Sequence, residues 1–210
     1  MAKYFISPLG EFIHPWFNTP DTKYNADGLY HTDHIPASDE EAEALARKIE
    51  QAAQAALQEH TQEMKPGEAK KWSLALPYER VEDDEGNPTG QIRFTYKQNA
   101  KIPSDKEPSG HKDIKIELRD SDDNIISVAV WNGSEGRIMF SMRPITVAST
   151  KKVGIRLDFA KVQVTKLKRG SGGGSRGFGA VEGGYVADEE ETGFGSAPQD
   201  GGTDDTGGDY

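Results

Sequence analysis

Apolar residues recur at helical spacing in one part of the chain. From Leu45 to residue 57, apolar side chains return every three to four positions. Ser38 precedes this stretch and Glu41 follows Ser38 by three residues, which is the spacing of a capping box at a helix N-terminus. The pattern predicts one helix of about 25 residues, ended by the breaker sequence Lys65-Pro66-Gly67.

Most other segments alternate between apolar and polar residues, as β-strands do when one face is buried. The clearest strand spans 91–97, and the alternation leaves open which of its faces is the core. Its two faces are Ile92, Phe94 and Tyr96 and, opposite them, Arg93, Thr95 and Lys97.

Six to eight short strands follow from the same alternation. They are predicted at 11–17, 29–35, 72–81, 91–97, 113–119, 125–131, 138–142 and 153–167, with a loop at 102–112 and turns at 82–90, 120–124 and 132–133. Strands of this length with one early helix predict a mainly β protein. We expect an OB-fold-like barrel capped by one α-helix.

Charge is distributed unevenly along the chain. The formal net charge is −10, from 25 Lys and Arg against 35 Asp and Glu. Residues 137–169 nevertheless hold nine cations and one acid, Asp158, whereas residues 170–210 hold nine acids and one cation, Arg176. This asymmetry is expected when a basic surface meets a polyanion and an acidic arm modulates the contact.

The C-terminal segment also differs in composition, since residues 170–210 contain 14 of the 23 glycines and only isolated apolar residues. Such a segment buries too little surface to offset its ordering entropy, so we predict a disordered tail. The predicted domains are therefore 1–169, an OB-fold-like domain, and 170–210, a Gly-rich acidic tail. A flexible tail of this length reaches about 35 Å, enough to compete with a polyanion for a basic groove on a body of about 15 Å radius of gyration.

The sequence lacks the residues that several kinds of catalytic and metal-binding site require. The sequence has no cysteine, no phosphate-binding Gly-rich loop and no Gly-x-Ser-x-Gly motif, so we predict no enzyme, no cofactor and no catalytic residues. His31 and His34 would point to opposite faces of a strand, and 120–124 reads as a turn, so no metal site is predicted. No apolar run of membrane-spanning length and no secretory signal is present, and we expect a cytoplasmic protein.

Cations interleaved with aromatic residues are the positive signal. Single-stranded nucleic acid is held by basic groups that follow the phosphates and by aromatic rings that stack on bases. Burial in the core is the alternative for the aromatics, and a solvated surface is the alternative for the cations. The candidate DNA-binding residues are Trp16, Lys23, Tyr24, Arg93, Tyr96, Lys97, Lys101, Trp131, Lys151 and Lys152.

Several stretches resemble bacteriophage single-stranded DNA-binding proteins, which act in replication and recombination. They occur in order over most of the chain: Ser7-Pro8-Leu9-Gly10, 14–24 (HPWFNTPDTKY), Tyr30 with Asp33, 92–97 (IRFTYK), Trp131-Asn132-Gly133-Ser134, 153–157 (VGIRL) with 162–164 (VQV), and in the tail 177–179 (GFG) and 182–185 (EGGY).

The resemblance implies an OB-fold, sequence-independent binding of single-stranded DNA and no enzymatic activity. It also implies that the acidic tail recruits the phage DNA polymerase and helicase–primase, in the cytoplasm of the infected bacterial host. Asp204, Asp205, Asp209 and Tyr210 are the candidate partner-binding residues of the tail.

The sequence therefore predicts a protein that coats exposed single-stranded template and recruits replication enzymes through its tail. The alternative function is a phage protein-interaction or DNA-mimic module without enzymatic activity. The oligomeric state, including a homodimer, stays open, as do the site size and the assignment of each aromatic to stacking or to the core.

Overall fold

The structure is a computed structural model that describes residues 3–168. Its helices are α1 (Asp39–Thr61) and α2 (Pro66–Ala69), with a 3-10 turn at Ala148–Thr150. Its strands are β1 (Tyr4–Ile6), β2 (Gly10–Asp21), β3 (Leu29–Pro36), β4 (Ser73–Ala75), β5 (Tyr78–Glu82), β6 (Pro88–Asn99), β7 (Lys101–Pro103), β8 (His111–Asp113), β9 (Glu117–Arg119), β10 (Glu135–Val147) and β11 (Lys152–Lys166).

Five of the strands form a closed ring in the order β2, β3, β6, β11 and β10, with β10 returning to β2. All neighbours in the ring are antiparallel except β6 and β11, which run parallel and pair at Tyr96 and Leu157. The shorter strands β1, β4, β5 and β9 extend the edges of this ring. The prediction of a mainly β, OB-fold-like barrel with one main helix is confirmed.

Two glycines are register partners where the ring closes, Gly10 on β2 and Gly136 on β10. A Cβ atom on Gly136 would lie 1.9 Å from the backbone oxygen of Gln163, and one on Gly10 would lie 2.3 Å from that of Ile35. Neither position has room for a side chain. The absence of a Cβ atom lets Gly10 lie close to the backbone of β3 and lets Gly136 lie close to the backbone of β11, at the point where β2 meets β10.

The interior of the ring is aromatic. Phe94 and Tyr96 of β6 are fully buried, and Tyr96 lies edge-on to Phe140 at 5.2 Å between ring centroids. Phe12 of β2 packs edge-on against Phe17 at 5.2 Å. The apolar face of β6 is therefore the core, which settles the choice left open by alternation and places Arg93, Thr95 and Lys97 on the outside.

The helix α1 packs its apolar stripe against the barrel, burying Ala42, Leu45 and Ile49 among others. Its first turn is capped by Ser38, whose side chain accepts a hydrogen bond from the backbone N–H of Glu41, as the capping box predicts. The helix ends at Thr61, a few residues earlier than the sequence predicted. Pro66, predicted as part of the terminator, instead begins the short helix α2.

Four predictions of local structure were wrong in whole or in part. Residues 125–131 were predicted as a strand, but only Ile125 forms an isolated bridge, to Arg119. The Asn18 side chain bonds this segment instead, donating to the carbonyl of Val128 at 2.8 Å and accepting from the N–H of Val130 at 3.3 Å. A side-chain amide thus replaces part of a strand ladder.

The second error concerns 102–112, which was predicted as a loop. Its two ends pair as the hairpin β7–β8, with Ile102 opposite Lys112.

The predicted strand at 72–81 is interrupted at Leu76-Pro77, because proline has no N–H to donate to a ladder. The predicted strand at 113–119 is likewise reduced to Glu117–Arg119.

His34 lies buried beside the closure point, with Nε2 3.3 Å from the carbonyl oxygen of Gly136. Burial lowers its pKa to about 4, although hydrogen bonds to the backbone of Gly136 and Gly10 oppose that effect. The folded protein therefore holds His34 neutral, whereas the unfolded chain protonates it below about pH 6.5.

We expect His34 to make folding pH-dependent. As pH falls from 6.5 towards 4, the unfolded state binds the extra proton, so the free energy of unfolding should decrease by up to about 3 kcal/mol. Chemical denaturation at pH 7.0, 5.5 and 4.5 should show this loss in the native protein and a smaller one in His34→Gln. Equal losses in both proteins, or NMR titration of His34 near pH 6.5 in the native protein, would contradict the expectation.

Candidate nucleic-acid interface

The outer face of β3 and β6 brings polar and charged side chains into rows across the sheet. His31 is paired with Lys97, and Asp33 with Thr95. The Thr95 hydroxyl donates a 2.7 Å hydrogen bond to Oδ1 of Asp33. Within residues 3–168, no carboxylate oxygen lies within 4 Å of the exposed Lys97 ammonium. Lys97 is therefore available to pair with an external anion.

Trp16 extends the row of His31 and Lys97 onto β2. A register irregularity between Ile13 and Trp16 interrupts the β2–β3 ladder, and Trp16 then pairs with His31. The two rings are stacked, with centroids 5.9 Å apart and planes inclined by 26°. Because Trp16 is 42% exposed, part of its indole is open to a further stacking partner.

Asp21 anchors the histidine of this row. Its Oδ2 lies 3.3 Å from Nε2 of His31, and its Oδ1 accepts a 2.8 Å hydrogen bond from the backbone N–H of Lys23. The Lys23 N–H, and after it His31, hold the pKa of Asp21 below its usual value against the opposing effect of burial. The stack of His31 on Trp16 is thus fixed from behind by an ionised carboxylate.

Trp131 lies in the irregular segment that Asn18 binds, and it is 52% exposed. The next residue, Asn132, accepts a 2.8 Å hydrogen bond from the backbone N–H of His14, which has a left-handed φ of 48°. This contact joins the Trp131 segment to the irregular part of β2 that carries Trp16. The fold therefore places two exposed tryptophans on neighbouring segments.

A cleft of about 560 Å³ opens beside this face, between the β4–β5 region and β11. Lys97 and Arg156 supply its positive charge. Its complete lining is Asp33, Ala75, Leu76, Pro77, Tyr78, Glu79, Thr95, Lys97, Ile145, Ile155, Arg156 and Leu157.

Two side chains, Asn99 and Asp158, contact Arg156 at the cleft. Its Nη2 donates a 2.7 Å hydrogen bond to Oδ1 of Asn99, and its Nε lies 2.8 Å from Oδ1 of Asp158. The other oxygen of Asp158, Oδ2, accepts a hydrogen bond from Nε of Arg143 at 2.5 Å. Burial lowers the pKa of Arg156, and Asp158 opposes that effect. One carboxylate therefore supports two guanidinium groups.

Arg93 lies on the same face of β6, with Nη1 3.0 Å from Glu79 of the neighbouring strand β5. Part of its positive charge is therefore already balanced. The Tyr78 hydroxyl donates to Glu50 of α1, and burial followed by this bond raises the Tyr78 pKa. Because its hydroxyl is bonded to Glu50, the Tyr78 ring is held in place as one wall of the cleft.

Two loops of the ring carry the remaining candidates. The loop between β2 and β3 holds Tyr24, which is 87% exposed, with the Lys23 ammonium 5.1 Å from its ring centroid. The loop between β10 and β11 holds Lys151, whose Nζ is 4.0 Å from Glu68, and Lys152 is exposed at the start of β11. Oligonucleotide-binding barrels use these two loops together with the face of the second and third ring strands.

Tyr96 is the one candidate that the structure contradicts. It is fully buried, and its ring contacts Phe140 and His34 rather than solvent, so it is not available to stack on a base. Lys101 is displaced from the row of Lys97, lying on β7 with Nζ 3.9 Å from Asp27. The tail candidates, Asp204, Asp205, Asp209 and Tyr210, lie outside the described residues.

Sequence reasoning missed three residues of this surface: His31, Asp33 and Arg156. Arg156 lies between the buried Ile155 and Leu157, and this alternation on β11 was a signal for an outward cation. Nothing local, however, indicated that β11 runs beside β6.

Within residues 3–168, no three His, Asp or Glu side chains are grouped as a metal site would require. The buried His34 and the outward His31 lie on opposite faces of β3, as strand geometry predicted. None of the helices in the described part of the chain is both long and apolar enough to cross a membrane.

No family model and no curated protein sequence matches the chain. Among solved structures, the chain is similar to gp2.5, a single-stranded DNA-binding protein encoded by bacteriophage T7, with 20% identity, a TM-score of 0.67, and coverage of 90% of this chain and 100% of that chain. It is also similar to the single-stranded DNA-binding protein from bacteriophage Enc34 in complex with ssDNA, with 9% identity, a TM-score of 0.53, and coverage of 80% and 89%. The resemblance to phage single-stranded DNA-binding proteins is confirmed at the level of the fold.

The support of two guanidinium groups by Asp158 can be tested directly. Replacing this carboxylate leaves Arg143 and Arg156 as uncompensated neighbours, so Asp158→Asn should lower the free energy of unfolding by about 2 kcal/mol. Urea denaturation at pH 7 measures this change. Asp84→Asn, at an exposed turn residue, is the control and should alter stability little. Equal stability of the two variants would show that Asp158 does not anchor the pair.

Proposed function

We propose that this chain is a single-stranded DNA-binding protein of a bacteriophage, without enzymatic activity. The observation that carries the proposal is the row formed by Trp16, His31 and Lys97 across three strands of the barrel. It combines a half-exposed indole for stacking with an ammonium that no described carboxylate neutralises. That is the pair of contacts by which proteins hold unpaired strands.

The surface is suited to single strands rather than duplex. Stacking on Trp16 or Trp131 requires a base with a free face, which base pairing and stacking in a duplex conceal. Lys97 and Arg156 in the cleft can neutralise phosphates without reading sequence. The protein would therefore bind with broad sequence tolerance and with affinity that falls as salt rises.

The path of the strand follows from the same geometry. We propose that it crosses the outer face of β3 and β6, with Trp131 and Tyr24 at one side and Lys151 and Lys152 at the other. Both OB-type loops then contribute, as in other oligonucleotide-binding barrels. Arg93 and Lys23 add charge along this path, and Lys101 lies at its margin.

Such binding would shift the equilibrium between paired and unpaired strands during replication and recombination. Because the protein binds only unpaired strands, it shifts hairpins towards the open state by mass action and keeps exposed template accessible. Affinity has to be moderate, since a polymerase must displace the protein. The site of action would be the cytoplasm of the infected host.

We further propose that residues 1–169 form the binding domain and that 170–210 act as an acidic tail. The support is compositional, since nine acids and one arginine give the tail the charge of a DNA mimic. In this proposal the tail competes with DNA and recruits the phage polymerase and helicase–primase, with Asp204, Asp205, Asp209 and Tyr210 as contacts.

The row can be dissected by its salt dependence. Lys97→Ala removes one phosphate contact, so the slope of log K against log salt should shrink by about 0.7. Trp16→Ala removes stacking, so affinity should fall by about 1–3 kcal/mol, with the slope unchanged. Fluorescence anisotropy with labelled oligo-dT at several salt concentrations measures both quantities.

Lys48→Ala is the matched control, because Lys48 is an exposed lysine of α1 outside the cleft. Its slope and affinity should stay close to those of the native protein. If the native protein shows no binding even at low salt, the proposed function is wrong, and the protein-interaction or DNA-mimic alternative replaces it.

Deleting 170–210 tests the competing tail. Removal of an internal polyanion should tighten binding to oligo-dT, most strongly at low salt where electrostatic competition is least screened. It should also abolish stimulation of the phage polymerase. The same anisotropy titration, compared between full-length and truncated proteins, decides the first point, and unchanged affinity would contradict competition.

A further inference from the structure

One residue of the cleft does not fit a purely phosphate-binding surface. Asp33 lines the cleft that also contains Lys97 and Arg156. Its Oδ1 accepts the 2.7 Å hydrogen bond from the Thr95 hydroxyl, which fixes the carboxylate on the outer face of β3. Within residues 3–168, no cation lies within 4 Å of this carboxylate. An unneutralised acid in a DNA-binding cleft requires an explanation.

Glu79, the other acid of the same cleft, provides the contrast. Its carboxylate is occupied by Arg93 at 3.0 Å, so its charge is balanced within the protein. Asp33 keeps a free oxygen, Oδ2, for which the described residues supply no hydrogen bond or ion pair. The two acids therefore differ in availability: Glu79 is exposed but paired, whereas Asp33 is only partly exposed and unpaired.

A free carboxylate has a definite chemical preference. It accepts hydrogen bonds but donates none, and it repels phosphate, so a strand in the cleft must turn base edges rather than its backbone towards Asp33. Cytosine presents the N4 amino group, which is the partner that Asp and Glu accept from in base recognition. Thymine presents the O4 carbonyl at the equivalent position, and two acceptors facing each other repel.

We propose that Asp33 reads exocyclic amino groups of unpaired bases, so that the cleft favours cytosine over thymine. This inference rests on the proposed function, because it names the base chemistry that the same surface selects. The preference is superimposed on sequence-tolerant binding through stacking and phosphate contacts. Thr95 is a positioning residue, since its hydroxyl fixes which carboxylate oxygen remains free.

The test compares full-length protein binding to oligo-dC and oligo-dT of equal length at pH 7.5. The two strands share backbone and ring size but differ at the C4 substituent, at N3 and at the C5 methyl group, so the change of their affinity ratio in Asp33 variants is what assigns the preference to Asp33. One hydrogen bond to a charged acceptor should favour oligo-dC by about fivefold or more. In Asp33→Asn, whose side chain can turn a donor towards the base, the ratio should fall to about one or below.

Glu79→Gln is the matched control. Both substitutions remove one negative charge from the same cleft, so both should tighten binding to oligo-dT, whereas for oligo-dC Asp33→Asn also loses the proposed hydrogen bond. Only Asp33→Asn should change the ratio. Asp33→Ala, which neither accepts nor donates, should also bring the ratio to about one and guards against an effect peculiar to the amide.

The outcomes separate this inference from the proposed function. A native ratio near one, or a preference that survives in Asp33→Asn and Asp33→Ala, would overturn the role of Asp33 while leaving DNA binding intact. A preference lost in both Asp33 variants and kept in Glu79→Gln would support it. Absence of binding to both oligonucleotides would overturn the proposed function and this inference with it.

Discussion

The structure depends on the close approach of backbones where β2 meets β10. Gly10 and Gly136 are in register there, and a Cβ atom on Gly10 would overlap a backbone oxygen of β3, as one on Gly136 would overlap a backbone oxygen of β11. Without the pairing of β2 with β10, the sheet would remain an open ribbon with unpaired edges on both strands. Closure buries the aromatic faces of β2, β6 and β10 together. The opposite faces of β3 and β6 are therefore exposed to solvent.

The arrangement of charges on the surface follows from which strand faces are exposed. The outward cations have three different environments: Arg156 contacts Asn99 and Asp158, Arg93 is balanced by Glu79, and Lys97 has no described carboxylate oxygen within 4 Å. Fixed guanidinium groups shape the cleft at little cost when a ligand arrives, because their conformations are already restricted. In the proposed function, the free ammonium of Lys97 is the charge that an incoming phosphate neutralises. The surface thus combines preorganisation with an unsatisfied positive charge.

Local sequence was informative wherever periodicity was strong. Alternation in 91–97 identified β6 and its two faces, and the capping box identified α1 and its first residue. It failed where long-range contacts decided the outcome. Asn18 binds residues 125–131 across more than a hundred positions, and the neighbourhood of Arg156 and Lys97 exists only because β11 runs beside β6. Tyr96 was proposed for stacking because alternation alone does not say which face closes inward.

The parallel contact of β6 with β11 has a different consequence. In the ladder it is represented by the pairing of Tyr96 with Leu157, whereas β10 and β11 pair along almost their whole length. The cleft lies beside this short seam, so a polymer bound across it bridges two strands that share few backbone bonds. A strand bound in the cleft would then hold β6 and β11 together from the outside of the barrel. The free energy of unfolding of the barrel would therefore increase with the fraction of protein bound to nucleic acid.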